Sequence, residues 1–166
     1  MRSLFDSSGA DFSTCKLYRY RLWRTWSGGA GVCNFLMLNP STADESINDP
    51  TVERCERRAR DWGYSELIVT NLFAFRATFP PQMMAAADPV GPENDAAILD
   101  AACGASLIVC AWGDDGAHQG RSAAVRHLLR GHALSALRVN RSGEPAHPLY
   151  LPYSLKPEPL LTLEAP

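Results

Sequence analysis

No apolar stretch in this chain approaches the ~20 consecutive residues that a membrane-crossing helix requires. The opening residues, MRSLFDSSGADF, hold two acids and no apolar core of the length a secretory leader uses. A cytoplasmic protein with no membrane partner is the expectation. No C-x-x-C pair occurs, and the five cysteines are an odd number. A disulfide framework, a zinc site or an iron–sulfur site is therefore not expected, and neither a metal nor a cofactor is assigned. Cys33, Cys55 and Cys110 fall in apolar surroundings, where cysteine acts as a small hydrophobe. A strong charge of either sign is also missing: 16 basic against 18 acidic residues give a net charge of −2. The chain as a whole has no general attraction to phosphate, so any nucleic-acid contact needs a local patch. No internal repeat and no linker interrupts the sequence.

What is present is ordinary for a globular protein: 166 residues, 46% hydrophobic and 20% charged. That suits one domain over residues 1–166 with a core at about 16–152, and residues 1–15 and 153–166 peripheral. KLYRYRLWRTW (16–26) alternates imperfectly with arginines and reads as an edge strand. SGGAG (27–31) reads as the turn of a hairpin; it lacks the Lys-Ser/Thr of a phosphate loop. Three short apolar runs read as strands buried on both faces: VCNFLML (32–38), ELIVTNLF (66–73) and SLIVCAW (106–112). ALSALRV (133–139) is a weaker fourth.

Helices between them are well punctuated. Asp49-Pro50 supplies a cap and an N1 proline before TVERCERRARDW, and Gly63 stops it. Gly91-Pro92 opens PENDAAILDAAC, closed by Gly104, and a third helix runs from about Gly120 to Leu129. Strand–helix alternation with fully apolar strands predicts an α/β fold: three layers, α/β/α, around a mostly parallel sheet. Ligands in such folds bind beyond the carboxyl ends of the strands, so residues just after each strand are the informative ones.

Those residues are polar. Asn39-Pro40-Ser41-Thr42 follows the first core strand, and Asn71 with Phe73-Ala74-Phe75-Arg76 follows the second. Gly113-Asp114-Asp115 follows the third, and the weak fourth leads to Glu144-Pro145-Ala146-His147-Pro148. Amides, hydroxyls, a histidine and aromatics at one edge of an apolar sheet suit a small planar polar ligand. Each also has a plainer reading. Asn39 before a proline forms turns, Asn71 can bond a neighbouring loop, Asp114 and Asp115 can cap a helix, His147 can bond a backbone carbonyl, and Arg54, Arg57, Arg58 and Arg60 can be a solvated helix face.

From YRYRLWRTW through LNPSTAD, NDPT, NLFAFRAT, GPENDA, AWG and HPLYL, over about residues 18–152, the chain resembles domain-of-unknown-function family 1643. More distantly, its motif order is similar to the uracil-DNA glycosylase superfamily. That group places an Asp-Pro or Asn-Pro after the first core strand, as Leu38-Asn39-Pro40 does here. It has an Asn ending the second strand, matched by Asn71 in IVTN, a Leu-Trp-Gly matched by Ala111-Trp112-Gly113, and a late His-Pro-Ser matched in part by His147-Pro148. The resemblance implies a glycosylase-like fold with Asn39 and His147 as catalytic residues: Asn39 positions a water near a glycosidic carbon, and His147 donates to the base oxygen as charge builds there. It implies base binding by Asn71, by Pro40, Ser41, Trp112, Gly113 and Pro148, and by stacking on Phe73, Phe75 or Phe79. Met37, where the mismatch-directed branch has glycine, and Leu149, where the superfamily has serine, depart from the pattern.

Three functions stay open on the sequence. The first is an N-glycosidic hydrolase acting on DNA, nucleosides or nucleotides. The second is a non-catalytic module binding a nucleobase, nucleotide or nucleic acid, with Arg54, Arg57 and Arg58, joined by Arg121, Arg126 and Arg130, facing phosphate. The third is a hydrolase holding magnesium through Asp44, Asp49, Asp114 or Asp115.

Overall fold

The computed structural model describes residues 6–161. Its strands are β1 (Ser7–Phe12), β2 (Arg19–Thr25), β3 (Val32–Met37), β4 (Glu66–Asn71), β5 (Leu107–Cys110), β6 (Ser135–Ala136) and β7 (Glu158–Pro159). Its helices are α1 (Pro50–Asp61), α2 (Pro80–Met84), α3 (Asn94–Gly104) and α4 (Arg121–Leu128), with a 3₁₀ segment at Asp114–Gly120. The seven strands form one sheet in the order β1-β2-β4-β3-β5-β6-β7. Pairing is parallel across β4-β3-β5-β6 and antiparallel between β1 and β2, β2 and β4, and β6 and β7.

The expected mostly parallel sheet is thus corrected to a mixed one. Parallel pairing is confined to the centre, where the crossovers run through helices, and both margins are antiparallel. Neither margin was legible: β1 lies in the segment read as peripheral, and β7 in the proline-rich tail. The edge-strand and hairpin readings of residues 16–31 are corrected too. β2 lies between β1 and β4, and the glycine turn carries the chain past β4 to β3. That turn docks on the end of α1: Ala30 N–H donates to the Gly63 carbonyl, and a Cβ on Gly29, at φ +78, would lie 2.5 Å from the same oxygen. Only glycine fits such an approach.

Side chains of β3 alternate between two apolar clusters, as the period-two geometry of a strand requires. Cys33, Phe35 and Met37 join Leu67, Val69 and Val109 beneath Val52, Cys55 and Ala59 of α1. Leu36 and Leu38 join Ile108 and Cys110 beneath Ile98 and Ala102 of α3 and Val125 of α4. Helices therefore cover both faces. The three cysteines expected inside are buried, and burial pushes the Cys33 and Cys110 thiols up to about 12. At α1 the sequence was read closely: the Asp49 side chain accepts from Val52 N–H at 2.8 Å, and Pro50 opens the first turn. Beyond the expected core, the tail docks: Tyr153 lies against Arg57 and Arg58 of α1, and Leu155 and Leu160 pack on the two clusters.

Candidate functional site

A cavity of about 760 Å³ opens at the carboxyl ends of β3, β4 and β5, on the side that carries α1. Counted along the chain from β3, the parallel strands lie in the order second, first, third, fourth, and the cavity is at the reversal between the first and third. That is where open α/β sheets place their ligands. Asn39, Asn71 and His147 all line it, with Arg19, Ser41, Asp49, Trp112, Gly113 and the exposed Arg138.

Asn39 is set by the loops after β3 and β4, which zip together. Its Nδ2 donates to the Ala77 carbonyl at 2.9 Å and to Pro40 O at 3.1 Å, and Ala77 N–H donates back to Pro40 O. With both amide hydrogens spent on backbone, its carbonyl oxygen is the end available to a ligand or water. Two buried arginines of β2 hold the rest of the loop. Arg19 Nη1 donates to Ala43 O, while Arg24 donates to Asn48 Oδ1 and to the carbonyls of Asp44, Glu45 and Ile47. These arginines read as surface residues of an edge strand. The structure makes them clamps, and only their imperfect alternation hinted at it.

Asn71 ends β4 with 1% of its surface exposed, and its Nδ2 has no hydrogen-bond partner. Its backbone is fixed from the opposite face of the sheet. Asn94 Nδ2 donates to the carbonyls of Asn71 (2.9 Å) and Leu72 (3.0 Å), and Arg121 Nε donates to Leu72 O (2.8 Å) while pairing with Asp95. The strand end is held, and the amide it carries is left unpaired.

His147 comes from the late loop, which is tied to β5 by Gly113 N–H donating to Pro145 O at 2.8 Å. Gly113 itself has φ +77, a conformation that suits glycine. Leu149 N–H donates to His147 Nδ1, which places the proton of the neutral ring on Nε2. Burial lowers the imidazole pKa, against a smaller opposing pull from Asp49. The site therefore holds a neutral histidine with one N–H to donate. Trp112 is a wall: its indole N–H is taken by Glu144, whose other oxygen accepts from Ser122, and Arg126 stacks on its ring.

Other expected residues fall elsewhere. Phe73 is buried in the α3–α4 cluster and tilted against His118, and Phe75 packs edge-on to Tyr18; neither lines the cavity, so the aromatic stacker expected of them is not there. Alternation alone would put Phe73 on the face of Asn71 and Met37, but β4 ends at Asn71, and Leu72 and Phe73 both turn into the α3–α4 cluster. Phe79 is exposed, beside the lining residues Thr78 and Pro80. Pro40 and Pro148 are buried behind the lining and act through their backbone. Arg57 and Arg58 sandwich Tyr153, with Arg58 Nη2 donating to Leu151 O, and Arg54 sits partly buried on the same helix; none of the three lines the cavity. Asp49, Asp114 and Asp115 line the cavity, and Asp44 does not. Asp49 caps α1, Asp44 accepts from Ser46 and Ile47 N–H, and Asp114 accepts from Asn140 and Ser142, which hold its carboxyl below the usual range. Among the described residues no group of three or more His, Cys, Asp or Glu is placed to hold a metal ion. No helix there is long and apolar enough to cross a membrane.

Fold and site together define a mixed α/β protein with a polar, ligand-sized cavity at its parallel strand ends. The chain belongs to the family described as protein of unknown function (DUF1643), which matches residues 19–149. No curated protein and no solved structure matches it.

Proposed function

We propose that the cavity binds a nucleobase and that the chain is a glycosylase-like hydrolase of N-glycosidic bonds, in DNA or in free nucleosides and nucleotides. One observation carries the reading: Asn39, Asn71 and His147, from two loops and the end of β4, line one cavity. In this reading Asn71 pairs with the edge of the base, and its unpartnered Nδ2 is the donor left for it. His147 gives its Nε2 proton as a hydrogen bond to the base oxygen that gains charge as the bond breaks. Asn39, its amide hydrogens fixed on carbonyls, offers Oδ1 to the attacking water. Helices on both faces of a sheet with a parallel centre are consistent with a three-layer, glycosylase-like fold.

Purified protein incubated with uracil-, mismatch- and modified-base DNA and with free nucleotides, at high enzyme concentration, releases free base if this reading holds. A second reading is favoured by the cavity's acids. Asp49 is spent on backbone N–H groups and Asn39 is an amide, so neither supplies a free carboxylate to activate a water. On that reading the chain binds the base without cleaving it. Bases or nucleotides then raise its melting temperature while no base is released.

A further inference from the structure

Arg19 sits where β2 bulges. Asp11 pairs with Arg21 and Phe12 with Arg19, so Tyr20 is the extra residue between them. Such a bulge re-aims the side chains around it, and Arg19 lines the cavity. The residue is 2% exposed. Nη1 donates to Ala43 O, Nε has no partner, and no described carboxylate forms an ion pair with it. Burial lowers its pKa to about 10, which leaves it cationic at neutral pH; Asp49 pulls the other way, and Arg24 and Arg76 add to the lowering. Asp49 is the nearby acid, and its two oxygens already accept from Val52 and Ala43 N–H. A buried cation without a counter-charge is costly, and such groups are normally paired. With Nη1 spent on the loop, the uncommitted part of the fork is the Nε–Nη2 edge, the geometry that takes a carboxylate or phosphate in two parallel bonds.

We propose that Arg19 receives a negatively charged oxygen group of the ligand, so that the cavity takes an anionic nucleobase derivative in preference to a neutral base. The group is either a carboxylate on the ring or a nucleotide phosphate. This rests on the nucleobase reading and narrows it. The other acids of the lining, Asp114 and Asp115, are exposed, and Asp114 is turned to Asn140 and Ser142. The exposed Arg138 adds a second positive charge to the lining.

The test is binding by the full chain of orotate against uracil, of uridine 5′-monophosphate against uridine, and of benzoate and inorganic phosphate alone. Wild type, Arg19→Gln and Arg19→Lys are compared by calorimetry. The anionic member of at least one nucleobase pair binds about tenfold or more tighter than its neutral counterpart. Arg19→Gln removes that advantage, costing the anionic member about 10- to 100-fold and the neutral member at least several-fold less, and Arg19→Lys restores part of it. Orotate over uracil assigns a ring carboxylate; the monophosphate over uridine assigns a phosphate. Equal affinity within both pairs, or an equal loss for both members in Arg19→Gln, overturns the proposal and leaves Arg19 as a clamp on Ala43. If Arg19→Gln does not fold, the wild-type pairs and Arg19→Lys decide. Binding of benzoate or phosphate but of no base or nucleotide keeps the anion site and defeats the nucleobase reading. Binding of uracil or uridine alone does the reverse, and no binding at all defeats both.

Discussion

On each side of the sheet near the end of β4 lie a buried asparagine and a buried arginine, and the two sets differ in how their donors are used. On the α3–α4 side, Asn94 gives its amide to two backbone carbonyls, and Arg121 has a carbonyl and the Asp95 carboxylate. On the cavity side, Asn71 gives its amide hydrogens to nothing, and Arg19 has a carbonyl but no acid. The residue types and burial are nearly the same. The Asn94 donors are spent on the fold, although its Oδ1 has no partner, whereas beside the cavity it is donors that are left over, and unspent donors at a cavity mark what is meant for a ligand.

Substitution on the structural side has the largest effect. Asn94→Ala removes two buried bonds, to the carbonyls of Asn71 and of Leu72, the latter keeping its bond from Arg121, and Arg121→Met removes a buried bond to Leu72 O and the Asp95 ion pair. Each lowers stability by about 2–4 kcal/mol in denaturant melts. A loss under about 0.5 kcal/mol from either would erase the distinction between the two sides. On the cavity side, Asn71→Ala changes the stability of the free protein by less than about 1 kcal/mol, because no hydrogen bond is lost. The same substitution abolishes the rise in melting temperature given by bases or nucleotides. A destabilisation equal to that of Asn94→Ala would make Asn71 structural as well.

The smallest effect is a pH dependence. Burial holds the His147 pKa below its ordinary 6.5, so the folded state takes up its proton less readily than the unfolded chain. The stability it contributes is therefore complete above about 6.5 and falls as pH drops from there through the folded-state pKa. Protonating Nδ1 would also break its bond from Leu149 N–H. Melts between pH 7.5 and 5, the first value being about neutral, fall more steeply for wild type than for His147→Gln. Parallel curves would place His147 in an ordinary solvated setting.

The centre of the molecule was legible because its strands are uninterrupted apolar runs and α1 carries its own cap, proline and glycine stop. Asn39, Asn71 and His147 were found by one rule, that ligands gather beyond parallel strand ends. The margins were not legible, since β1 is polar and β7 is two residues in a proline-rich tail. Arg19 was missed for a related reason. An arginine in a strand reads as solvent-facing until the neighbouring strand and a bulge turn it inward, and those are long-range facts. Phe73 was misplaced because strand alternation would put it on the face of Asn71, whereas β4 stops at Asn71 and the next two residues both turn to the other cluster.

The most direct test follows the side-chain amide resonances of Asn71 and Asn94 in the nitrogen–proton spectrum, each assigned by its disappearance in Asn71→Ser or Asn94→Ser. Uracil, the other bases and their 5′-monophosphates are titrated into the folded protein. The account predicts that at least one of these ligands shifts the Asn71 amide pair while the Asn94 pair stays in place. An Asn71 pair that no base or nucleotide moves, in protein that remains folded throughout, contradicts it.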